Sequence, residues 1–380
     1  MEYEVVIIGG GVVGLACAAE SAKNGYSTLL IEKHGSIGQE TSSHNSEVIH
    51  SGIYYPPNSL KARLCVTANH NIYKECERSG VWVKRCGKLI VAVTEDEVKS
   101  LEELYKRGLA NGVSEMNLLD SFQAKRIEPY IKCSAAIHIL STGIIDSHQF
   151  MKSFYNEAKS LGADFAFNVK FKGGERSNQA FKIHVEEPNG ESTTIESEYI
   201  INAAGLHSDK VAQSFGIDID AAGYRLRHNR GHYFSVSSSK AKLISRLVYP
   251  VPHKHLVYVG IHITIDKAGQ IKLGPDQEYL DNSIPESDWY KFDPDITKRK
   301  EKFYSSVVRF FPALQLSDLS PDQVGVRPKI KGSDTEVKDF IIREESSKGL
   351  PGLVNLIGIE SPGLTCAHEI AREVFKILKN

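Results

Sequence analysis

The chain opens on an apolar run, Val5-Val6-Ile7-Ile8, that reads as a buried parallel strand. Gly9-Gly10-Gly11 interrupt it, and apolar positions then recur at helical spacing through Leu15, Ala18, Ala19 and Ala22. A second apolar strand, Ser27-Thr28-Leu29-Leu30-Ile31, ends at Glu32. Residues 58–79 predict a helix with Leu60, Leu64, Ala68, Ile72 and Cys76 on one face, stopped by Gly80. Residues 81–93 alternate as a strand pair, and Thr94 caps an acidic helix start, Glu95-Asp96-Glu97. Asp120 or Ser121 caps a short helix ending near Pro129, and Ser147 caps another that runs to Leu161.

Strands are expected at 165–171 and 181–186, with a turn at Pro188-Asn189-Gly190. Residues 199–205 repeat the opening grammar of an apolar strand ending in small residues. The stretch 216–320 is richer in strand signals, at 233–236, 247–249 and 256–265, and holds one basic helix at 296–311. A turn at 358–365 precedes a closing helix that ends near Leu378. The simplest division is α/β: a doubly wound nucleotide-binding domain of residues 1–80, 145–215 and 321–380, interleaved with a mixed-sheet α+β substrate domain of residues 81–144 and 216–320.

Gly9, Gly11 and Gly14 fit G-x-G-x-x-G at a strand-to-helix junction. The first glycine permits the tight turn, the second lets backbone approach a pyrophosphate, and the third lets helix and strand pack closely. The helix N-terminus offers N–H groups to the phosphate, and Glu32 stands where a carboxylate accepts from ribose hydroxyls, with Lys33 beside it. Strand, turn, helix, strand and terminal acid in order point to one bound dinucleotide. A second such fingerprint does not occur.

Composition narrows the partners. The 380 residues, 41% hydrophobic and 24% charged, fit an ordinary globular chain of two domains. A net charge of −1 argues against binding driven by nucleic-acid phosphates. Cys17, Cys65, Cys76, Cys86, Cys133 and Cys366 lie far apart without a C-x-x-C pair, which suits reduced packing thiols and no metal site. No apolar run approaches a bilayer span, and the first strand leaves no room for a leader ahead of it. A cytoplasmic location is expected. The helix at 296–311 mixes lysines with aromatics and could touch an anionic membrane surface, but a solvated basic face with its apolar side on the sheet is favoured.

The interleaved layout and the glycine-rich turn before the last helix resemble the glutathione-reductase-like FAD fold of the D-amino-acid-oxidase superfamily. Within it, TSSHNSEVIHSGIYYPPNSLKARLC from Thr41 and Cys86-Gly87-Lys88-Leu89-Ile90-Val91-Ala92 resemble the L-2-hydroxyglutarate dehydrogenases and their bacterial oxidase relatives. Shorter segments at 141–146, 202–206, 249–252, 260–262, 273–275 and 325–328 extend the resemblance over the whole length. The turn Glu360-Ser361-Pro362-Gly363 departs from many relatives, and contacts to the far side of a substrate are expected to differ with it.

The resemblance implies FAD as cofactor. Its contacts would include Gly9, Gly11, Gly14, Glu32 and Lys33, then Thr41, Ser42, Ser43, His44 and Asn45. Val169, Ala204 and Gly205 would follow, and Gly358, Pro362, Gly363, Leu364 and Thr365 would face the flavin pyrimidine ring at the helix N-terminus. The implied reaction is oxidation of an L-2-hydroxy acid, L-2-hydroxyglutarate to 2-oxoglutarate, by hydride transfer to flavin N5, with quinone or oxygen as electron acceptor. Such chemistry needs a base for the hydroxyl proton and cations for the carboxylate. Arg327 suits the carboxylate, because a guanidinium grips it with two parallel hydrogen bonds. His262 and His50 both suit the base. Tyr54, Tyr55 and Tyr233 are candidate substrate contacts, and Lys61, Arg230 and Lys329 are cations available for a second carboxylate.

Two other readings stay open. One is a related flavoenzyme, an amine or D-amino-acid (glycine) oxidase or a glycerol-3-phosphate-type dehydrogenase. The other is a flavin-binding protein without turnover.

Overall fold

A computed structural model describes residues 2–177, 180–252, 259–281, 283–292, 295–332 and 338–379. Its first sheet is built on Tyr3–Ile8, which pairs in parallel with Thr28–Glu32 on one side and Ser192–Asn202 on the other. Asp164–Phe167 extends the parallel run beyond Thr28–Glu32, and Leu350–Ile357 extends it beyond Ser192–Asn202. Both faces of the first strand are covered, which explains its unbroken apolar sequence. Val5 and Ile7 point into a core shared with the helices Val12–Lys23, Ser147–Ser160 and Gly363–Leu378. Val6 and Ile8 point to the opposite face, against Phe181, Ile183 and Phe215.

The second sheet is mixed. Leu226–Val236 pairs antiparallel with Leu319–Ile330, and Lys88–Ala92 lies parallel to Leu247–Pro250. Helices Glu95–Ala110 and Ile296–Val308 bury Leu101, Leu104, Phe303 and Val307 in its core. Because Leu319–Ile330 belongs here, the division at residue 321 falls inside a strand of the second sheet. A small third sheet joins Val48–Ile49, Gly143–Ile145 and Val83–Lys84, with Ile49 and Ile145 in the first core and Val48 and Ile144 in the second.

Several local expectations need correction. Residues 81–93 do not form a strand pair: Val83–Lys84 joins the third sheet, whereas Lys88–Ala92 joins the second. Asp146, not Ser147, caps the helix Ser147–Ser160, its carboxylate accepting from the Gln149 N–H at 2.9 Å. The run at 165–171 splits into Asp164–Phe167 and Lys170–Ser177 around Asn168, which adopts a φ of 59°. Of the strand expected at 256–265, only Ile263–Ile265 is extended, and 253–258 lie outside the described residues. The basic helix spans Ile296–Val308, shorter than the expected 296–311, with Phe303 and Val307 packed inward and Arg299 paired to Asp276 and Glu278. Among the described residues, no helix is long and apolar enough to cross a membrane.

Candidate active site

Two cavities adjoin each other and share part of their lining. One, of about 450 Å³, lies over the carboxyl ends of the first sheet. The other, of about 330 Å³, lies between the first and second sheets. Gly11, Thr41, Ser42, Ala203 and Gly205 line both, so they mark the junction.

The shape of this channel is set by glycines. Gly9 has a φ of 111°, and a Cβ there would stand 2.5 Å from the Ala203 carbonyl oxygen. A Cβ at Gly14 would stand 2.0 Å from the Gly9 carbonyl oxygen. Neither position admits a side chain while strand and helix stay this close. Gly11 caps the helix Val12–Lys23 at the junction of the cavities without a side chain of its own. A phosphate can therefore approach the helix N-terminus. The Val12 N–H is already taken by Ser42 Oγ at 3.0 Å. Glu32 closes the turn from beneath, accepting from the Gly10 N–H at 2.6 Å and the His34 N–H at 2.8 Å, and still lines the larger cavity. Lys33 lines it too, paired with Glu40 at 2.7 Å, as do Val169, Ala204 and Gly205. This closed glycine turn, open helix terminus and two-part channel fit a dinucleotide the size of FAD.

The loop after Thr41 supplies both walls. His44 and Asn45 line the smaller cavity, and the Thr41 hydroxyl, though it borders both cavities, donates to the Val326 carbonyl at 2.8 Å. Ser43 lines neither cavity, and its hydroxyl turns back to the Gly38 carbonyl. At the other end, Pro362, Gly363 and Leu364 open the last helix onto the smaller cavity, with no side chain capping it. Gly358 and Thr365 do not line the cavities. Gly358 makes the preceding turn with a φ of 69°, and Thr365 accepts from the His50 N–H at 3.1 Å while donating to the Val48 carbonyl at 3.2 Å. Thr365 thus positions His50.

His50 and His262 both face the smaller cavity, His50 just after the strand Val48–Ile49 and His262 just before Ile263–Ile265. His262 Nδ1 lies 2.9 Å from the Gly260 carbonyl, which can only accept, so Nδ1 carries the proton and Nε2 holds a lone pair. Its ring stacks on Tyr249. His50 Nε2 meets Ser361 Oγ at 3.2 Å, and its buried Nδ1 has no partner among the described residues. Burial pulls both imidazoles down to about 3, helped by the charge of Lys88, so both are neutral at pH 7.

Arg327 lines the same cavity from the strand Leu319–Ile330, so it is not a surface arginine before a turn. Its Nη2 donates to Asn229 Oδ1 and, at 2.8 Å, to the Asp276 carbonyl. Asp276 is itself anchored, its carboxylate accepting from His232 and paired with Arg299. Tyr54, Tyr55 and Tyr233 also line the cavity, Tyr233 sharing a 3.0 Å hydrogen bond with Ser46.

Of the three spare cations, Lys61 and Lys329 reach the cavity and Arg230 does not, being paired with Glu278 at 2.8 Å. Sequence reasoning gave no role to Glu360, Lys88 or Tyr249. Lys88 stands fully buried in an apolar strand, its Nζ 4.7 Å from the rings of both Tyr54 and Tyr249. A lysine directly ahead of the apolar run Leu89-Ile90-Val91-Ala92 was the available signal.

A glycine turn under a two-part channel, ending at neutral histidines and a fixed guanidinium, defines a flavin-type oxidoreductase. Comparison with known proteins specifies it further. The sequence profile described as FAD dependent oxidoreductase matches residues 4–377. The mitochondrial L-2-hydroxyglutarate dehydrogenase of Arabidopsis thaliana is 37% identical over 403 aligned residues, covering 98% of this chain and 82% of that protein. The L-2-hydroxyglutarate dehydrogenase of Indibacter alkaliphilus is 29% identical, covering 98% of this chain and 98% of that protein. Dithionite-reduced L-alpha-glycerophosphate oxidase from Mycoplasma pneumoniae, with FAD bound, superposes with a TM-score of 0.87 at 26% identity over 100% of this chain and 95% of that one. The chain belongs to the FAD dependent oxidoreductase family and, within it, to the group of L-2-hydroxyglutarate dehydrogenases.

Proposed function

We propose that the protein oxidises L-2-hydroxyglutarate to 2-oxoglutarate. The observation that carries this reading is that Arg327 and His262 face one cavity, which continues into the dinucleotide channel. FAD, when bound, supplies the acceptor for the hydride leaving Cα. Gly9, Gly11 and Gly14 would hold its pyrophosphate side, and the open N-terminus of Gly363–Leu378 would face its ring.

The chain's own residues do the rest. Arg327, fixed by Asn229 and Asp276, takes the carboxylate next to the reacting carbon and sets its orientation. His262 accepts the hydroxyl proton at Nε2, because Nδ1 is committed to Gly260. The arriving carboxylate favours the imidazolium, so the basicity suppressed by burial returns when substrate binds. His50 shares the wall as a neutral hydrogen-bonding group. Oxygen or a quinone serves as terminal acceptor, and the reading carries a cytoplasmic location with it. Peripheral contact through the basic helix is the membrane-linked variant.

Adding L-2-hydroxyglutarate to the yellow protein without oxygen tests the assignment. Bleaching by the L form, and not by the D form or glycine, supports it, and a flavin that stays yellow ends it. The likeness to the glycerophosphate oxidase favours one second reading, in which Arg327 takes a phosphate. Bleaching by glycerol 3-phosphate in place of the hydroxy acid would establish that alternative.

A further inference from the structure

The smaller cavity contains a second cationic seat that the chemistry above leaves unused. Lys61, on the buried face of Leu60–Ser79, and Lys329, on Leu319–Ile330, both converge on Glu360 in the turn before the last helix. Lys61 Nζ lies 3.1 Å from Glu360 Oε1, and Lys329 Nζ lies 3.3 Å from the same carboxylate. All three line the cavity, with side chains only 3%, 13% and 14% exposed. Lys61 also rests over the Phe340 ring, which fixes its direction. Among the described residues, Glu360 is the one carboxylate within 4 Å of either ammonium.

Charge and spacing give this cluster a purpose. Two lysines against one glutamate leave an excess positive charge, beside the separate charge of Arg327. Lys329 sits two residues beyond Arg327 on a strand, so both side chains project from the same face, roughly 7 Å apart at their origins. The two carboxylates of an extended five-carbon diacid are separated by about 5 Å, from four bonds of ~1.5 Å in zigzag. A diacid held by Arg327 at one end can reach the lysines at the other.

We propose that Lys61 and Lys329 are the seat for the distal carboxylate of a dicarboxylate substrate, and that Glu360 is the built-in counter-ion this carboxylate displaces. The proposal rests on the hydroxy-acid reading for its substrate but assigns the residues that select a diacid over a monoacid. Glu360 keeps the two ammonium groups from repelling each other before substrate arrives. It also competes for them, which sets the affinity of the diacid.

The test separates binding from turnover. Glutarate and pentanoate, which have the same carbon chain with and without the second carboxylate, are titrated against the FAD-loaded protein and followed by perturbation of the flavin spectrum. Turnover of L-2-hydroxyglutarate and L-2-hydroxypentanoate is measured beside them. Lys329→Met and Lys61→Met are each expected to weaken glutarate binding about 10- to 100-fold, with pentanoate affinity unchanged, and to raise KM for the diacid more than they lower kcat. Glu360→Gln is expected to tighten glutarate several-fold. Equal losses for both acids in the lysine variants, or weaker glutarate binding in Glu360→Gln, would overturn the proposal. Should a lysine variant fail to hold flavin, the Glu360→Gln titration decides alone. A native protein that binds glutarate selectively but is not reduced by L-2-hydroxyglutarate would remove the proposed reaction and leave the seat standing.

Discussion

The imidazole of His262 lies against the phenol of Tyr249, with ring centroids 3.8 Å apart and planes 23° from parallel. With the Gly260 carbonyl holding Nδ1, this stack fixes both the tautomer and the direction of Nε2. Among the described residues, the His50 ring has no comparable restraint beyond Ser361. His262→Asn should therefore lower the rate of anaerobic flavin reduction by about 10²- to 10⁴-fold, the usual range for a general base, with flavin content and glutarate affinity kept. His50→Asn should cost less. Stopped-flow reduction of the two variants ranks them, and the reverse order would move the base to His50.

The same two histidines make stability depend on pH. Each is held near 3 in the fold, against an ordinary value near 6.5. The unfolded chain therefore binds protons that the fold refuses, and stability present above pH 6.5 is lost as pH falls towards 3. The expected loss is at most ~1.4 kcal/mol per pH unit for each imidazole inside that window. Urea unfolding at pH 7, 6 and 5 measures it. His50→Asn and His262→Asn should each flatten the slope, and a native midpoint that does not move over this range would contradict the buried, neutral assignment.

Gly14 tests the cofactor cradle separately from the chemistry. With the Gly9 oxygen 2.0 Å from any Cβ, Gly14→Val must push the helix away from the glycine turn. Purified Gly14→Val should carry little flavin, read as loss of visible absorbance. Stoichiometric FAD in that variant would mean that the glycine turn is not the pyrophosphate site.

How much of this was legible in the sequence depended on distance along the chain. The turn at Gly9, Gly11 and Gly14 is local, and strand, glycine and helix signals overlap there within a few residues. The Lys61–Glu360 pair spans 299 positions, and only the meeting of a helix, a turn and the second sheet makes it a site. Part of the signal was present all the same. Lys61 shares its helix face with Cys65, Ala68 and Ile72, which is an unusual place for an ammonium group. Ser43 and Thr365 turn away from the cavities for a different reason. Short hydroxyls readily bond to nearby backbone, here Gly38 and Val48, and a linear pattern does not reveal which way they turn.

Lys88 supplies the sharpest stability test. Its side chain is fully buried, and its Nζ has no hydrogen-bond partner among the described residues, only the faces of Tyr54 and Tyr249. Burial draws its pKa down to about 7 from 10.5. Because the folded value is depressed, the stability linked to the neutral amine is complete above pH 10.5 and is lost as pH falls to 7. Lys88→Met keeps the length of the side chain and removes the charge, so it should stabilise the protein by about 1–3 kcal/mol at pH 7, with the gain shrinking as pH rises to 10. Its effect on catalysis should point the other way. The Lys88 charge helps hold His50 and His262 down, so its removal should move the acidic limb of the pH–rate profile upward, towards the ordinary histidine range. Thermal unfolding at pH 7 and 10, paired with that profile, reads both effects. A Lys88→Met protein less stable than native at pH 7 would mean that the amine has a partner there, such as an internal water, and that the buried charge is not a net cost to the fold.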